Sequence, residues 1–312
     1  MKINSIFFIV FTAASVSSVE IDNGNNQQDH PCKRKCDIDT KPMICKYKFK
    51  LEYYQTMSKA CYDCPYNVTH CTLKDCIPAD GIKRPIAVVN RQLPGPAIEV
   101  CLGDKIEVEV ENALFDESTS IHWHGHHQKG TPYMDGVPYV TQCPISPRSK
   151  FLYRYNADTP GTHFWHSHSA FQRGDGVFGA LIVRVPLAND SFSDLFDYDL
   201  PEHTLIVTDW THTSGLHKFV AHHHSSGDNK AENILVNGKG RFKEFEDEYG
   251  NIIFTPVDKY NVKQVSAIPQ ENVFKFSNTL TLNLFTFLKG ISIPLPPDQR
   301  RIPQLPNTSL NR

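Results

Sequence analysis

The stretch KIEVEVE, residues 105–111, alternates strictly between charged and apolar side chains. Ile106, Val108 and Val110 share one face of an extended chain, and the charged residues share the other. Because successive side chains of a strand point to opposite faces, the pattern predicts a strand with one face buried and the other in solvent. The segment FLYRY, residues 151–155, alternates in a similar way. The centre of the chain is therefore predicted to be β-structure.

Glycine and proline interrupt these runs at LPGP (93–96), YMDGVP (133–138) and TPG (159–161). Short strands separated by such turns are typical of a sandwich or barrel, and no long helical period competes with them. The prediction is an all-β chain with one complete β-sandwich over residues 79–186. A second, partial domain is predicted over residues 200–264.

The N-terminus has the pattern of a secretory signal peptide, predicted over residues 1–18. Lys2 precedes a short run rich in Ile, Phe and Val, and small residues follow near Ser17 and Ser18. The run is too short to span a membrane. The competing interpretation is a buried N-terminal strand, but the position and flanks favour secretion to an extracellular location.

Secretion favours disulfides, and seven of the nine cysteines fall within residues 19–78. This region is predicted to be a disulfide-stapled, loop-rich module, although the CxxC at Cys61 and Cys64 would also suit zinc in a cytosolic protein. Seven is an odd number, so at least one of these cysteines pairs outside the block or stays free. Cys101 and Cys143 are candidate partners, and a partner outside this sequence is equally compatible.

Charge and hydropathy exclude two classes of partner. At 312 residues and 40% apolar content the chain is long enough for two domains. The net charge of −2 and the absence of a dense Lys/Arg tract argue against a nucleic-acid binder. The apolar stretch 280–293 is too short and too interrupted for a membrane span.

Asn67, Asn189 and Asn307 lie in Asn-x-Ser/Thr acceptors, consistent with a secreted glycoprotein.

The candidate metal ligands are two His-x-His pairs. They are His122 with His124 in TSIHWHGHHQ (119–128), and His166 with His168 in GTHFWHSHS (161–169). In a strand the i and i+2 side chains project from the same face, so each pair presents two imidazoles together. Neutral imidazole suits copper, zinc, iron or nickel rather than magnesium or calcium. If the two strands are neighbours, four imidazoles converge on a transition metal.

These residues resemble the multicopper oxidases, and specifically the insect-type laccases. The resemblance lies mainly in HWHGHHQKGTPYMDGVPYVTQCP (122–144) and PGTHFWHSHSAFQRGDGVFGALIVR (160–184), and it runs from about Cys32 to about Val262. It implies cupredoxin-like Greek-key β-sandwiches, one complete and one partial. It also implies an oxidoreductase that oxidises diphenols and reduces dioxygen to water. Ferroxidase is the second choice within the family.

Site roles also follow from the resemblance. His122 resembles the type 2 copper ligand, and His124, His166 and His168 resemble ligands of the type 3 pair in a trinuclear copper cluster. Asp135, in YMDG, resembles the acidic residue that relays protons near that cluster. The sequence alone supports only an Asp-Gly turn there, and a carboxylate that orients a ligand or a water is a further alternative.

The other histidines are predicted to be non-ligands. His126 and His127 follow the motif where HGHH is expected to turn out of the strand. His163 has the opposite parity to His166 and should point away from the metal. The tract 222–224 resembles a metal-binding run, but a solvated or hydrogen-bonded role is expected.

Laccase chemistry also requires a type 1 centre made of a cysteine thiolate and two histidines. This sequence has no histidine after His224 and no cysteine after Cys143. By itself it supplies half of the trinuclear ligands and no type 1 site. Residues 265–312 do not resemble the family, and five prolines from Pro294 to Pro306 predict a poorly ordered end. The expectation is a truncated oxidase, with a non-catalytic secreted copper-binding fragment or isoform as the alternative.

Overall fold

The computed structural model describes residues 30–196 and 198–254, together with the short strands Phe7–Phe8, Phe11–Thr12 and Ile291–Ser292. Apart from the backbone of these strands, the predicted signal peptide (1–18) and the divergent tail (265–312) lie outside the described residues. The glycosylation acceptor Asn307 also lies outside them. All three stay predictions.

The strands are listed here in chain order: β1 (Phe7–Phe8), β2 (Phe11–Thr12), β3 (Ile44–Gln55), β4 (Pro85–Val89), β5 (Ile98–Cys101), β6 (Lys105–Asn112), β7 (Ile121–His124), β8 (Lys150–Asn156), β9 (Gly161–Ser167), β10 (Phe178–Arg184), β11 (Ile206–Trp210), β12 (Asn233–Val236), β13 (Glu244–Glu246), β14 (Ile252–Phe254) and β15 (Ile291–Ser292). One α-helix, α1 (Gly215–His224), occurs in the described part of the chain. Short 3-10 helices are Lys59–Cys61, Val68–Thr72, Pro132–Met134, Leu187–Asn189, Ser193–Leu195 and Pro201–His203.

The first sheet has the order β4-β3-β6-β8. Strand β6 contains the alternating stretch, and Ile106, Val108 and Val110 are fully buried there, which confirms the predicted half-buried strand. Its antiparallel neighbour β8 places Tyr155 opposite Ile106 and Tyr153 opposite Val108. The apolar residues of both strands therefore lie on the same face of the sheet.

The second sheet has the order β5-β10-β9-β7 and packs its inner face on the first. Phe49 of β3 meets Trp165 of β9 in the shared core, with ring centroids 4.6 Å apart. Together the two sheets form a cupredoxin-like β-sandwich, so the predicted fold class is confirmed. Its second sheet contains both strands that carry the histidine pairs.

The region predicted as a cysteine-rich module contributes directly to the sandwich. Strand β3 lies within residues 19–78, yet it is an inner strand of the first sheet, paired with β4 and β6. The four disulfides are Cys32–Cys45, Cys36–Cys101, Cys61–Cys76 and Cys64–Cys71. Cys101 is thus the partner outside the block, while Cys143 is a free, exposed cysteine.

The second segment differs from the prediction in having a helix. Strands β11 and β12 pair antiparallel, and α1 lies between them in the chain. The helix begins after Ser214, whose side chain accepts a hydrogen bond from the His217 backbone N–H as an N-cap. The α1 sequence, GLHKFVAHHH, has no wide apolar face, so hydrophobic periodicity did not indicate it. Among the described residues no helix has the length and apolar character needed to cross a membrane.

Candidate metal centre

Strands β7 and β9 are antiparallel neighbours, and their register brings the two histidine pairs together. His122 is directly opposite His166, and Trp123 is directly opposite Trp165. Both tryptophans are fully buried in the sandwich core. The histidines therefore project from the opposite face, as the alternation of side chains in a strand requires.

Three of the four predicted ligands form a close group. Ligand nitrogens of His122, His124 and His166 lie within 4.8 Å of one another. His168 follows the end of β9 and is outside this trio, but its ring centroid is 5.5 Å from that of His122. The His122 ring is 5.4 Å from both His124 and His166. The predicted convergence is thus present, with His168 at its margin.

Backbone carbonyls determine which nitrogen of two imidazoles faces the group. Nδ1 of His122 lies 2.7 Å from the carbonyl oxygen of Asp135. Nδ1 of His166 lies 2.9 Å from the carbonyl oxygen of Ser167. A carbonyl oxygen can only accept, so each Nδ1 carries the proton and each Nε2 has a free lone pair. This is the arrangement in which an outer hydrogen bond orients a metal-binding histidine.

The spacing between two facing nitrogens fits a shared ion. Nε2 of His166 and Nδ1 of His124 are 3.4 Å apart. Two nitrogens at about 2.0 Å from one tetrahedral ion would be separated by about 3.3 Å. Without metal, a proton on His124 Nδ1 can bridge the same gap. The donor set, composed of imidazole nitrogens, suits copper or zinc and does not suit a hard cation such as magnesium.

Burial favours the neutral form of His124, His166 and His168, which a metal ligand must have. Loss of hydration lowers the pKa of His166 to about 3, because its ring is almost wholly enclosed. Burial also lowers the pKa of His124 and of His168, and repulsion from the Arg173 guanidinium lowers both further. At neutral pH none of these three rings has to lose a proton before it can bind a metal.

Asp135 lies beside His122, at the end of the 3-10 helix Pro132–Met134. Besides its carbonyl contact, its carboxylate Oδ1 is 3.5 Å from His122 Nδ1, and its side chain is 26% exposed. It therefore lies in the turn that the Asp-Gly pair predicts, next to the histidine group. The carbonyl is the closer of its two contacts with His122.

The adjacent Gly136 allows this turn to approach β7. It has φ +82, and a Cβ atom there would lie 1.8 Å from the carbonyl oxygen of Ile121. Only glycine has both the left-handed backbone and the missing side chain that this contact requires. Gly136 was not among the predicted site residues, although the Asp-Gly pair was a turn signal.

The other histidines lie away from the group. His126 turns out of β7 and is buried, with its ring centroid 5.0 Å from that of His163. Nε2 of His163 donates to the carbonyl of Thr159. His222–His224 are exposed in the last turn of α1, as the predicted solvated role requires. His127 is exposed as well.

The structure adds one polar residue that the sequence did not indicate. Gln172 is 3% exposed and its amide contacts Ser167, the residue between His166 and His168. A glutamine in a turn has no periodicity and no metal-ligand chemistry, so nothing in the local sequence pointed to it.

Comparisons with known proteins agree with the geometry. A family model described as multicopper oxidase matches residues 70–187. Laccase-1 of Cryptococcus neoformans var. grubii is 41% identical over 169 residues, 52% of this chain and 26% of that protein. L-ascorbate oxidase of Brassica rapa subsp. pekinensis is 40% identical over 159 residues, 50% of this chain and 27% of that protein. The chain thus spans about a quarter of the length of these relatives.

A solved structure is similar in fold as well. The laccase from Botrytis aclada superposes with a TM-score of 0.51 and 31% sequence identity. The match covers 65% of this chain and 32% of that one.

Proposed function

This chain belongs to the multicopper oxidase family, and we propose that it supplies the first-domain ligands of a trinuclear copper cluster in a laccase-type oxidase. The observation that carries the proposal is the meeting of two His-x-His strands, with His124 Nδ1 and His166 Nε2 separated by 3.4 Å. Copper held there would provide the electron transfer that reduces dioxygen to water.

The proposed roles follow the family pattern. His122 is the type 2 ligand, and His124, His166 and His168 are type 3 ligands. The 3.4 Å separation of His124 Nδ1 and His166 Nε2 supports the assignment of these two residues to one ion. The position of His168 outside the close trio supports its assignment to another ion. The partly exposed carboxylate of Asp135 is proposed to pass protons between solvent and the cluster.

The proposed substrate is a diphenol or a related phenolic molecule, as in an insect-type laccase. Laccase and ascorbate oxidase both occur among the relatives, so the family match alone does not choose between reducing substrates. Ferroxidase is the alternative within the class. Four disulfides among the described residues support the further proposal of a secreted, extracellular protein, with Asn67 and Asn189 exposed for glycosylation.

A specific observation favours a second candidate. Among the described residues, the group beside β7 and β9 that could hold a metal consists of histidines alone, without the cysteine thiolate of a type 1 centre. The second candidate is therefore a non-catalytic, secreted copper-binding form of the chain. Oxygen uptake with a diphenol separates the two, because only a chain that obtains the missing ligands can turn over.

Copper titration tests the shared part of both proposals. The disulfide-bonded chain is titrated against a chromophoric copper chelator, in a background where His222, His223 and His224 are replaced by alanine to remove exposed imidazoles. His124→Ala and His166→Ala are each expected to weaken copper binding at least about tenfold, because loss of a ligand costs more than loss of its hydrogen-bond support. Unchanged copper affinity in both variants would reject the site.

A further inference from the structure

Gln172 is a buried amide whose whole hydrogen-bonding capacity is used beside the histidine pairs. Its Oε1 accepts from Ser167 Oγ at 2.7 Å and from Thr119 Oγ1 at 2.8 Å. Its Nε2 donates to Glu117 Oε2 at 2.9 Å and to the carbonyl of Ser118 at 3.0 Å. An amide has two acceptor sites and two donor hydrogens, so this set leaves none unpaired.

Ser167, one of these partners, lies between two of the proposed ligands. Its carbonyl accepts the Nδ1–H of His166, and its Oγ accepts the backbone N–H of Ser169 at 3.1 Å. Any rotation of the Ser167 peptide would therefore change the direction of the His166 ring. Gln172 holds the Ser167 side chain from a third direction.

The other partners of Gln172 lie on the segment that leads into β7. Thr119 and Ser118 precede Ser120, whose carbonyl accepts the backbone N–H of His168 at 3.1 Å. Gln172 thus connects the chain just before His122 to the chain between His166 and His168. The two histidine pairs come from separate parts of the chain, and the Gln172 amide is hydrogen-bonded to residues beside each pair.

We infer that Gln172 is a positioning residue for the proposed copper site, where it holds Ser167 and the 117–119 segment so that His166 and His168 face His122. The inference rests on the proposed function for its consequence in copper binding. The positioning itself is a property of the metal-free chain. The inference predicts that loss of the Gln172 amide changes the orientation and the tautomers of the histidines, although no ligand is removed.

Substitutions that replace the Gln172 amide by a carboxylate or by an apolar side chain test the inference. In Gln172→Glu a carboxylate oxygen would replace Nε2 and meet Glu117 Oε2 and the Ser118 carbonyl, all of which only accept. Combining it with Glu117→Gln restores a donor opposite that oxygen. Gln172→Met keeps the length of the side chain and removes every hydrogen bond.

Copper affinity and the spectrum of the bound ion give the first readout. Gln172→Met and Gln172→Glu are expected to weaken binding about ten- to a hundredfold, as the loss of outer-shell partners does, and to alter the Cu²⁺ EPR signal. The double variant Gln172→Glu/Glu117→Gln should recover part of the loss. Gln128→Met is the control, because Gln128 is also buried but its side-chain oxygen accepts a hydrogen bond from Thr131 Oγ1.

Nitrogen-15 NMR of the imidazoles gives a readout without copper. In the unaltered chain His166 should be a single tautomer with the proton on Nδ1, and Gln172→Met should show a mixture of tautomers. A fixed tautomer and unchanged copper affinity in Gln172→Met, or an equal effect in Gln128→Met, would overturn the inference. If the unaltered chain bound no copper, the proposed function would fail while the tautomer measurement still decided the positioning role.

Discussion

The Nδ1 atom of His122 lies 2.7 Å from the backbone carbonyl of Asp135, so a turn outside the sandwich selects the imidazole nitrogen that faces the other histidines. The contact depends on how closely that turn approaches β7. Gly136 makes the approach possible, because its hydrogen occupies a position where a methyl group would overlap the Ile121 carbonyl.

Gly136→Ala is therefore expected to displace the Asp135 carbonyl and weaken copper binding at least about tenfold. Gly130→Ala is the matched control, since Gly130 has φ +81, nearly the same as Gly136, but nothing lies within 4 Å of the added Cβ. The control should show only the backbone strain of about 1 kcal/mol, measured by chemical denaturation. Equal copper affinities for the two variants would contradict the proposed role of the turn.

The metal-free chain is expected to lose stability in mild acid. Burial lowers the pKa of His126 to about 4, with a further contribution from His163, whereas an unfolded histidine has a pKa of about 6.5. Between pH 6.5 and about pH 4 the unfolded state binds the proton and the folded state does not. Stability is thus fully present above pH 6.5 and falls as the pH drops toward 4, by up to about 3 kcal/mol for this residue.

His126→Phe separates this contribution from that of His166. Among the described residues neither ring nitrogen of His126 has a hydrogen-bond partner, so the substitution loses no bond and should change stability at pH 7.5 by under about 1 kcal/mol. Urea denaturation between pH 7.5 and 4.5 should then show a shallower loss than in the unaltered chain. An identical pH profile would contradict the assignment.

The disulfides should differ in their contributions to stability. Cys36–Cys101 joins residues 65 apart, whereas Cys64–Cys71 joins residues seven apart. Loop-closure entropy predicts a loss of about 4 kcal/mol for the first pair and about 2 kcal/mol for the second when both cysteines become serine. Denaturation under non-reducing conditions measures both, and a larger loss for Cys64–Cys71 would contradict the ranking.

Asp104 should be the most sensitive carboxylate of the first sandwich to substitution. It is fully buried, pairs with Arg34 at 2.8 Å and accepts the backbone N–H of Met43 and of Cys101. Burial would raise its pKa, but these partners lower it below the usual range. Asp104→Asn removes a buried charge opposite the partly exposed Arg34 guanidinium and places an amide N–H₂ against groups that only donate, so we expect a loss of about 3 kcal/mol.

The exposed Lys35–Asp37 pair provides the comparison for that prediction. Asp37→Asn should change stability by less than about 1 kcal/mol, because solvent screens an exposed pair. Similar losses for the two substitutions, in the same denaturation assay, would show that Asp104 has no special role.

Several features were predictable because they depend on local periodicity or on residue chemistry. The alternation at Ile106, Val108 and Val110 predicted a half-buried strand, and the i, i+2 spacing predicted imidazoles paired on one face of each strand. Cys101 was one of two candidate partners for the odd cysteine of the block. The helix α1 was not predicted, because its start depends on the Ser214 cap and on its surroundings rather than on an apolar stripe.

By itself the sequence determined the β-class of the chain, the face from which each histidine projects and the donor chemistry that suits a transition metal. These follow from side-chain alternation and imidazole chemistry, which are local properties. Only the tertiary structure decided that His122 lies opposite His166 and that the Asp135 carbonyl binds Nδ1 of His122. It also decided that Gln172 hydrogen-bonds to Thr119, before the first histidine pair, and to Ser167, within the second. Those contacts join residues distant in the chain, and packing of the whole sandwich is what sets their distances.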